Sequence, residues 1–186
     1  MPNKPKHNYT IADSEISPKD CFQTPDYAAD PLLPFIKDKF KVVWESAAGE
    51  GYLAAKLDRE GFVVIATDLD YGVNYFETKM TFHDIEITNV PFSQKYRWLK
   101  RACENGKPFA LLMPSDVLFA GKLAQPLIKQ YNLEFLVPDK RINFKTPQNG
   151  WNGSSAQMHT SWITRGLNIG QLITFVEIHP QESIKQ

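Results

Sequence analysis

The sequence predicts an α/β fold, a mostly parallel sheet held between helices in a three-layer sandwich, with an antiparallel strand near the C-terminal end. Three observations predict it. Short apolar runs alternate with helical patterns from about residue 41 onward, the order that lays strands side by side with helices crossing between them. The first run meets the first helix through a small-residue turn carrying Gly49 and Gly51. The last run, Leu172 to Ile178, alternates apolar and polar residues as a strand with one solvated face does, and is expected to be the antiparallel one.

The elements follow in order. Lys41-Val42-Val43-Trp44-Glu45 is β-branched and aromatic, and the turn Ser46-Ala47-Ala48-Gly49-Glu50-Gly51 stops it. A helix is expected from about Tyr52 to Glu60, with Leu53, Ala54 and Leu57 apolar and Gly61 placed to end it. Phe62 to Thr67 is the second strand, closed by Asp68, and Ile85 to Thr88 is the third, running into Asn89-Val90-Pro91-Phe92. A basic amphipathic helix over about Gln94 to Glu104 is ended by Asn105-Gly106. Pro108 to Met113, Leu133 to Val137 and Leu172 to Ile178 supply the remaining strands. Residues 1–20 are polar and read as a flexible arm, 21–178 as a single domain, and 179–186 as a polar tail.

The chain has 186 residues and 21.2 kDa, the size of one domain that needs no staples to bury its core. Lys and Arg number 21 and so do Asp and Glu, which argues against a protein held to nucleic acid by bulk charge and leaves room only for a local basic face. Cys21 and Cys103 are too few and too far apart for a disulfide framework or a zinc cluster, and fit a reducing cytoplasm. No run of eighteen apolar residues spans a membrane, and the N-terminus lacks the apolar stretch of a secretion signal. His7, His83, His159 and His179 show no metal-ligand spacing, so no metal is expected.

Gly49-x-Gly51 at a strand-to-helix turn lets a ligand approach the backbone, since glycine adopts positive φ and carries no Cβ; the same pair also suits tight packing alone. Asp68, 17 residues after Gly51 and at the end of the next strand, can accept hydrogen bonds from ribose hydroxyls. Glu45 and Glu50 flank the turn, where carboxylates repel a pyrophosphate. A ligand with an amino group and a sulfonium but no phosphate suits that field, and S-adenosylmethionine is such a ligand.

Asn89-Val90-Pro91-Phe92 stands at the C-terminal end of a strand, where open α/β sheets place their sites, although Asn-x-Pro is also an ordinary turn opener. Here the chain resembles the amino-methyltransferases of DNA, whose pattern at this place is (N/D/S)-P-P-(Y/F). Phe22-Gln23-Thr24-Pro25 is similar to the F-x-T-P segment before the first strand of that family, and Trp44 to Gly51 is similar to its W-E-P-A-C-G-E-G turn. Gly106 to Leu112 and Asp139-Lys140-Arg141-Ile142-Asn143-Phe144 resemble small phage and prophage DNA adenine methyltransferases, so the resemblance covers about Cys21 to Ile178. It implies a Rossmann-like class I methyltransferase that uses S-adenosylmethionine to methylate the N6 amine of adenine in DNA. It also implies roles: Thr24, Glu45, Ala47 and Gly49 at the methionine end of the cofactor, with Gly51 in the same turn, and Asp68 at the ribose. Asn74 would lie on the adenine side, where the family's G-x-D-F has an acid.

The chemistry fits those residue types. An exocyclic base amine is a poor nucleophile, and two acceptors aimed at its hydrogens stabilise the positive charge that develops on transfer. The side-chain oxygen of Asn89 and the backbone carbonyl of Val90 are the candidate pair, each worth about 1 kcal/mol and up to about 3 kcal/mol once charge develops. Pro91 biases Val90 to extended backbone, and Phe92 offers a ring face to a base swung out of its stack. Val90 stands where the family has proline, which costs rigidity; Ser46 and Ala48 replace proline and cysteine in the first turn. Lys95 in the basic helix, together with Lys140 and Arg141, are candidate contacts to a phosphate backbone, and such a helix face is as readily just solvated. Thr146 to Ser155, rich in turn formers and polar donors, is a candidate for reading base edges or closing over the target. The N4 amine of cytosine, an RNA base or a protein glutamine amide offers the same planar NH2 group, and a methyltransferase-like binding module without turnover is the reading from another class.

Overall fold

The computed structural model describes Asp20, residues 22–146 and residues 158–180. The rest of the expected arm, residues 181–186 of the expected tail and nearly all of the polar loop after Thr146 lie outside the described residues. Seven strands form one sheet: β1 (Val42–Glu45), β2 (Val63–Ala66), β3 (Ile85–Asn89), β4 (Phe109–Pro114), β5 (Glu134–Pro138), β6 (Thr160–Arg165) and β7 (Ile173–Val176). Their order across the sheet is β2-β1-β3-β4-β6-β5-β7. The helices are α1 (Leu33–Ile36), α2 (Tyr52–Arg59), α3 (Lys95–Asn105) and α4 (Gln125–Tyr131).

Local chemistry explains the helix ends. The amide of Gly61 donates to Asp58 and that of Phe62 to Leu57, the paired bonds of a Schellman stop, with Gly61 at φ 94 where a side chain would be strained. α3 also ends on a glycine in the left-handed region, Gly106, with φ 77. Each face of the sheet buries its own core. Leu53 and Leu57 of α2 pack on one face with Tyr27, Leu32 and Ile36 of the N-terminal turns and α1. Trp98, Leu99, Ala102 and Cys103 of α3 and Ile128 of α4 pack on the other. The result is the Rossmann-like three-layer α/β sandwich that the alternating runs predict.

One strand was misassigned from the sequence. The antiparallel strand is β6, which runs opposite to both β4 and β5, while β7 lies parallel to β5 at the sheet edge. Alternation in Leu172–Ile178 reports one-sided exposure at an edge, with Phe175 exposed, and carries no information about strand direction. β6 is hard to see because Thr160, Ser161 and Thr164 read as loop residues. All three are buried, with Ser161 bonded to Ser115 through their hydroxyls (2.7 Å) and Thr164 Oγ1 donating to the Glu134 carbonyl (3.2 Å).

Candidate functional site

β1 is flanked by β2 and β3, and the crossovers to either side lie on opposite faces of the sheet, α2 on one and α3 on the other. The chain therefore parts between the C-terminal ends of β1 and β3, the switch point at which an open α/β sheet places its ligand crevice. The turn after β1 forms one wall. Its amides are held from within: Ala47 donates to Thr88 Oγ1 (3.1 Å), Ala48 to the Thr67 carbonyl (3.0 Å) and Gly49 to Asp68 Oδ2 (2.8 Å). Glu50 donates to Gln23 Oε1 (3.0 Å) and Gly51 to the Ala48 carbonyl (2.8 Å). The hydroxyl of Tyr71 closes on the Gly49 carbonyl at 2.6 Å. A turn whose amides are already bonded offers no nest for a phosphate.

Gly49 has φ +55, a conformation that favours glycine, and a Cβ there would meet the Gln23 side-chain amide at 3.0–3.1 Å and press it aside. Gly51 has φ +81 and stands at the start of α2. Asp68, beside Gly49, also accepts the amide of Asp70 (2.9 Å), so its carboxylate ties the turn after β1 to the turn after β2. Glu45 is 2% exposed and its Oε2 has no hydrogen-bond partner. Burial pushes its carboxyl well above the usual carboxylate range, the Ala54 amide pulls it down, and Asp68 raises it further.

Asn89 closes the other wall. Its Nδ2 donates to the Phe22 carbonyl (3.1 Å), while its Oδ1 is buried and has no donor. Turning the amide over would set two oxygens against each other, so the carbonyl of Phe22 fixes which atom is left over. The ladder gives Val90 a matching feature. Val90 donates to the Leu112 carbonyl (3.2 Å), and with Asn89 opposite Leu112 the group due to donate back to Val90 is that of residue 114. Residue 114 is Pro114, which has no N–H, so the rung is missing. The Phe22 ring stacks on Phe92 with centroids 4.8 Å apart, and Phe144 meets both edge-on at 5.6 and 5.9 Å. Asp20 accepts from the Ser93 amide (3.1 Å) and hydroxyl (2.6 Å), and Gln23 pairs with Lys145 in an antiparallel bridge.

Asp20 and residues 22–24 thus lie as a strap across the crevice. Consecutive residues Phe22 and Gln23 touch Asn89 and Gly49, which places the two walls under one cover. Thr24 is buried in the same strap. Asn74 lies beyond Asp68, its Oδ1 accepting the Phe76 amide (3.0 Å) in a local turn. Lys95 pairs with Asp116 (2.9 Å); Lys140 lies 3.4 Å from both Asp139 and the Ile178 carbonyl, at the end of β5 with the exposed Arg141. Two other α3 cations have internal partners: Arg97 covers the Phe76 ring at 3.8 Å, and Arg101 donates to the Thr78 carbonyl at 3.3 Å, while the exposed Lys100 lies 3.8 Å from Glu104.

Sequence reasoning missed the residues that build this frame. Glu86, on β3, is 2% exposed and accepts from Ser46 Oγ (2.7 Å), Tyr75 Oη (3.2 Å) and the Trp98 indole (3.4 Å). Burial pushes its carboxyl up to about 7 against the pull of those three donors. An acid inside an apolar run reads as the solvated face of a strand, and only the tertiary arrival of Tyr75 and Trp98 buries it. Among the described residues no group of three or more His, Cys, Asp or Glu is placed to hold a metal ion, and no helix is long and apolar enough to cross a membrane.

No family model and no curated protein matches the sequence. Among solved structures, the chain is similar to a modification subunit assigned to a type I restriction enzyme from Vibrio vulnificus YJ016, at 13% identity and a TM-score of 0.54. That match covers 87% of this chain and 48% of the subunit, so the chain spans about half the length of the protein it resembles. A protein from Agrobacterium tumefaciens predicted to be an O-methyltransferase aligns over 94% of this chain and 87% of its own at 12% identity, with a TM-score of 0.37. What the first likeness establishes is the fold: this chain shares the α/β architecture of that modification subunit.

Proposed function

We propose that this chain is an S-adenosylmethionine-dependent methyltransferase whose acceptor is an exocyclic amine, the N6 amine of adenine in DNA. One observation carries the reading: Asn89 Oδ1 is a buried acceptor without a donor, held at the end of β3 beside a carbonyl that the ladder leaves unpaired. Two acceptors side by side match the two hydrogens of an NH2 group and the charge that its nitrogen gains.

The residues present fit the cofactor. The unpartnered oxygen of Glu45 suits an ammonium or sulfonium, and a turn with its amides already bonded suits a ligand without phosphate. Glu45, Ala47, Gly49 and Thr24 would hold the methionine end. Asp68 would take the ribose on lone pairs that the Gly49 and Asp70 amides leave over. Asn74 would lie towards the adenine. When bound, the cofactor supplies a methyl group already activated on a positively charged sulfur. Asn89 and Val90 orient the amine, Phe92 gives the base a stacking face, and the Phe22 ring that now covers that face withdraws as the base enters.

DNA is favoured as acceptor by the order of the motifs and by the fold shared with a restriction-enzyme modification subunit. Lys140 and Arg141 are the candidate phosphate contacts; Lys95 would first have to leave Asp116. Incubation with methyl-labelled cofactor and DNA, RNA or protein tests the reading. Label in N6-methyladenine of DNA is the expected outcome, and label in protein or RNA alone overturns the choice of acceptor. The covered state of Asn89 favours one competing reading, a binding module without turnover. Cofactor binding in calorimetry without labelled product from any acceptor would establish it.

A further inference from the structure

We propose that Glu86 is a positioning residue of the cofactor crevice: one buried carboxyl that fixes the turn after β1 and the segment after β2 at a set separation. The inference rests on the cofactor reading above and extends it to a residue outside the motifs. Ser46 is the first residue of the turn after β1, and its hydroxyl donates to Glu86 Oε1 at 2.7 Å. Tyr75 follows Asn74 in the segment after β2, and its hydroxyl donates to Oε2 at 3.2 Å. Trp98, from α3, donates to Oε1 at 3.4 Å and stacks flat on Tyr75, with centroids 4.0 Å apart and planes within 4°. Trp44, on β1, lies against Tyr75 at 5.4 Å.

Three donors converge on a group that is an acceptor alone when ionised, so the carboxylate satisfies all of them at once. The two oxygens divide the work: Oε1 holds the turn after β1 together with Trp98 of α3, and Oε2 holds the segment after β2. No apolar residue can do this, and a carboxyl in the core is costly to bury, so its presence needs a reason other than stability. Ser46 stands where the resembled family has proline. A proline would stiffen the turn by itself; the serine instead takes its fixed point from Glu86.

The tie and its use are tested separately. Hydrogen exchange on the ligand-free protein, with and without Glu86→Gln, reads the tie. The glutamine keeps the size but turns a donor towards Tyr75. Exchange should speed up together in 46–51 and 72–76, by about fivefold or more, while β5 and β7 stay unchanged; unchanged exchange in both segments overturns the proposal. Calorimetry with S-adenosylmethionine reads the use. Glu86→Gln should weaken binding about fivefold or more, without a lower melting temperature at pH 8. Equal affinity, or a loss that merely follows a fall in melting temperature, overturns it.

Ser46→Ala and Tyr75→Phe keep the test open should Glu86→Gln not fold. Each should weaken binding, and the double variant should be no worse than the poorer single one, because one carboxyl joins them. Additive losses mean that each residue acts alone and overturn the tie. If the unmodified protein gives no heat with the cofactor, the cofactor reading falls, Glu86 loses its assigned use, and exchange alone judges the tie.

Discussion

Asn89 gives its amide hydrogens to the carbonyl of Phe22, 3.1 Å away, and this single bond decides that its own oxygen faces no donor. The ring of the same Phe22 lies on Phe92. One residue of the strap thereby sets the acceptor and covers the aromatic ring of Phe92. Asn89→Ala removes that acceptor and leaves the turn after β1 intact. Cofactor affinity should stay within about twofold, while methyl transfer at saturating cofactor falls about tenfold or more. Calorimetry and labelled-product rates check both halves.

Asp68→Ala should act in the opposite sense. It frees the Gly49 and Asp70 amides and weakens cofactor binding first, by about tenfold, with a stability loss of about 1–3 kcal/mol from two bonds to a charged group. Titration calorimetry and thermal melts separate the two effects.

Gly49→Ala should destabilise the protein by about 1–2 kcal/mol from its positive φ alone, and by more because its Cβ meets Gln23 at 3.0 Å. Removing the obstacle with Gln23→Ala relieves the contact and not the backbone strain. The double variant should therefore lose less than the sum of the two single losses in a melting experiment.

Glu86 makes stability depend on pH. Its carboxyl is raised from 4.5 to about 7, so between those values the folded chain keeps a proton that the unfolded chain has lost. Stability therefore falls as pH rises through this window, by about 3 kcal/mol in all, and levels off above it. Glu45, also raised, adds in the same direction. Melting temperatures of Glu86→Gln should decline less between pH 5 and pH 7.5 than those of the unmodified protein.

Lys95 is spent on Asp116, whereas Lys140 has only long contacts. Lys95→Met should leave the salt dependence of DNA binding unchanged. Lys140→Met should lower its log–log slope by about 0.9, the value of one phosphate contact.

Much of this site is legible in one dimension because its parts are local. Gly49, Gly51 and Asp68 announce a strand, a turn and the next strand's end, and Asn89 to Phe92 marks a strand terminus; all four regions meet at the switch point. What the sequence conceals depends on distant partners. α1 and the short turns before it carry few periodic signals, yet Tyr27, Leu32 and Ile36 are buried because the sheet face needs covering. β6 hides behind hydroxyl side chains, of which Ser161 and Thr164 find their partners only on distant segments. Charge on α3 looks like a surface for phosphate until Asp116, Phe76 and Thr78 are seen beside it.

Pro114 makes its contribution by subtraction. The imino acid that ends β4 cannot return a ladder bond to the Val90 carbonyl just past β3, so under the proposed function the scaffold would gain its reactivity by omitting a part of its own weave. A sheet completed at that point would be sturdier and chemically mute: Pro114→Ala, by restoring the absent stitch, should stiffen the protein while silencing it.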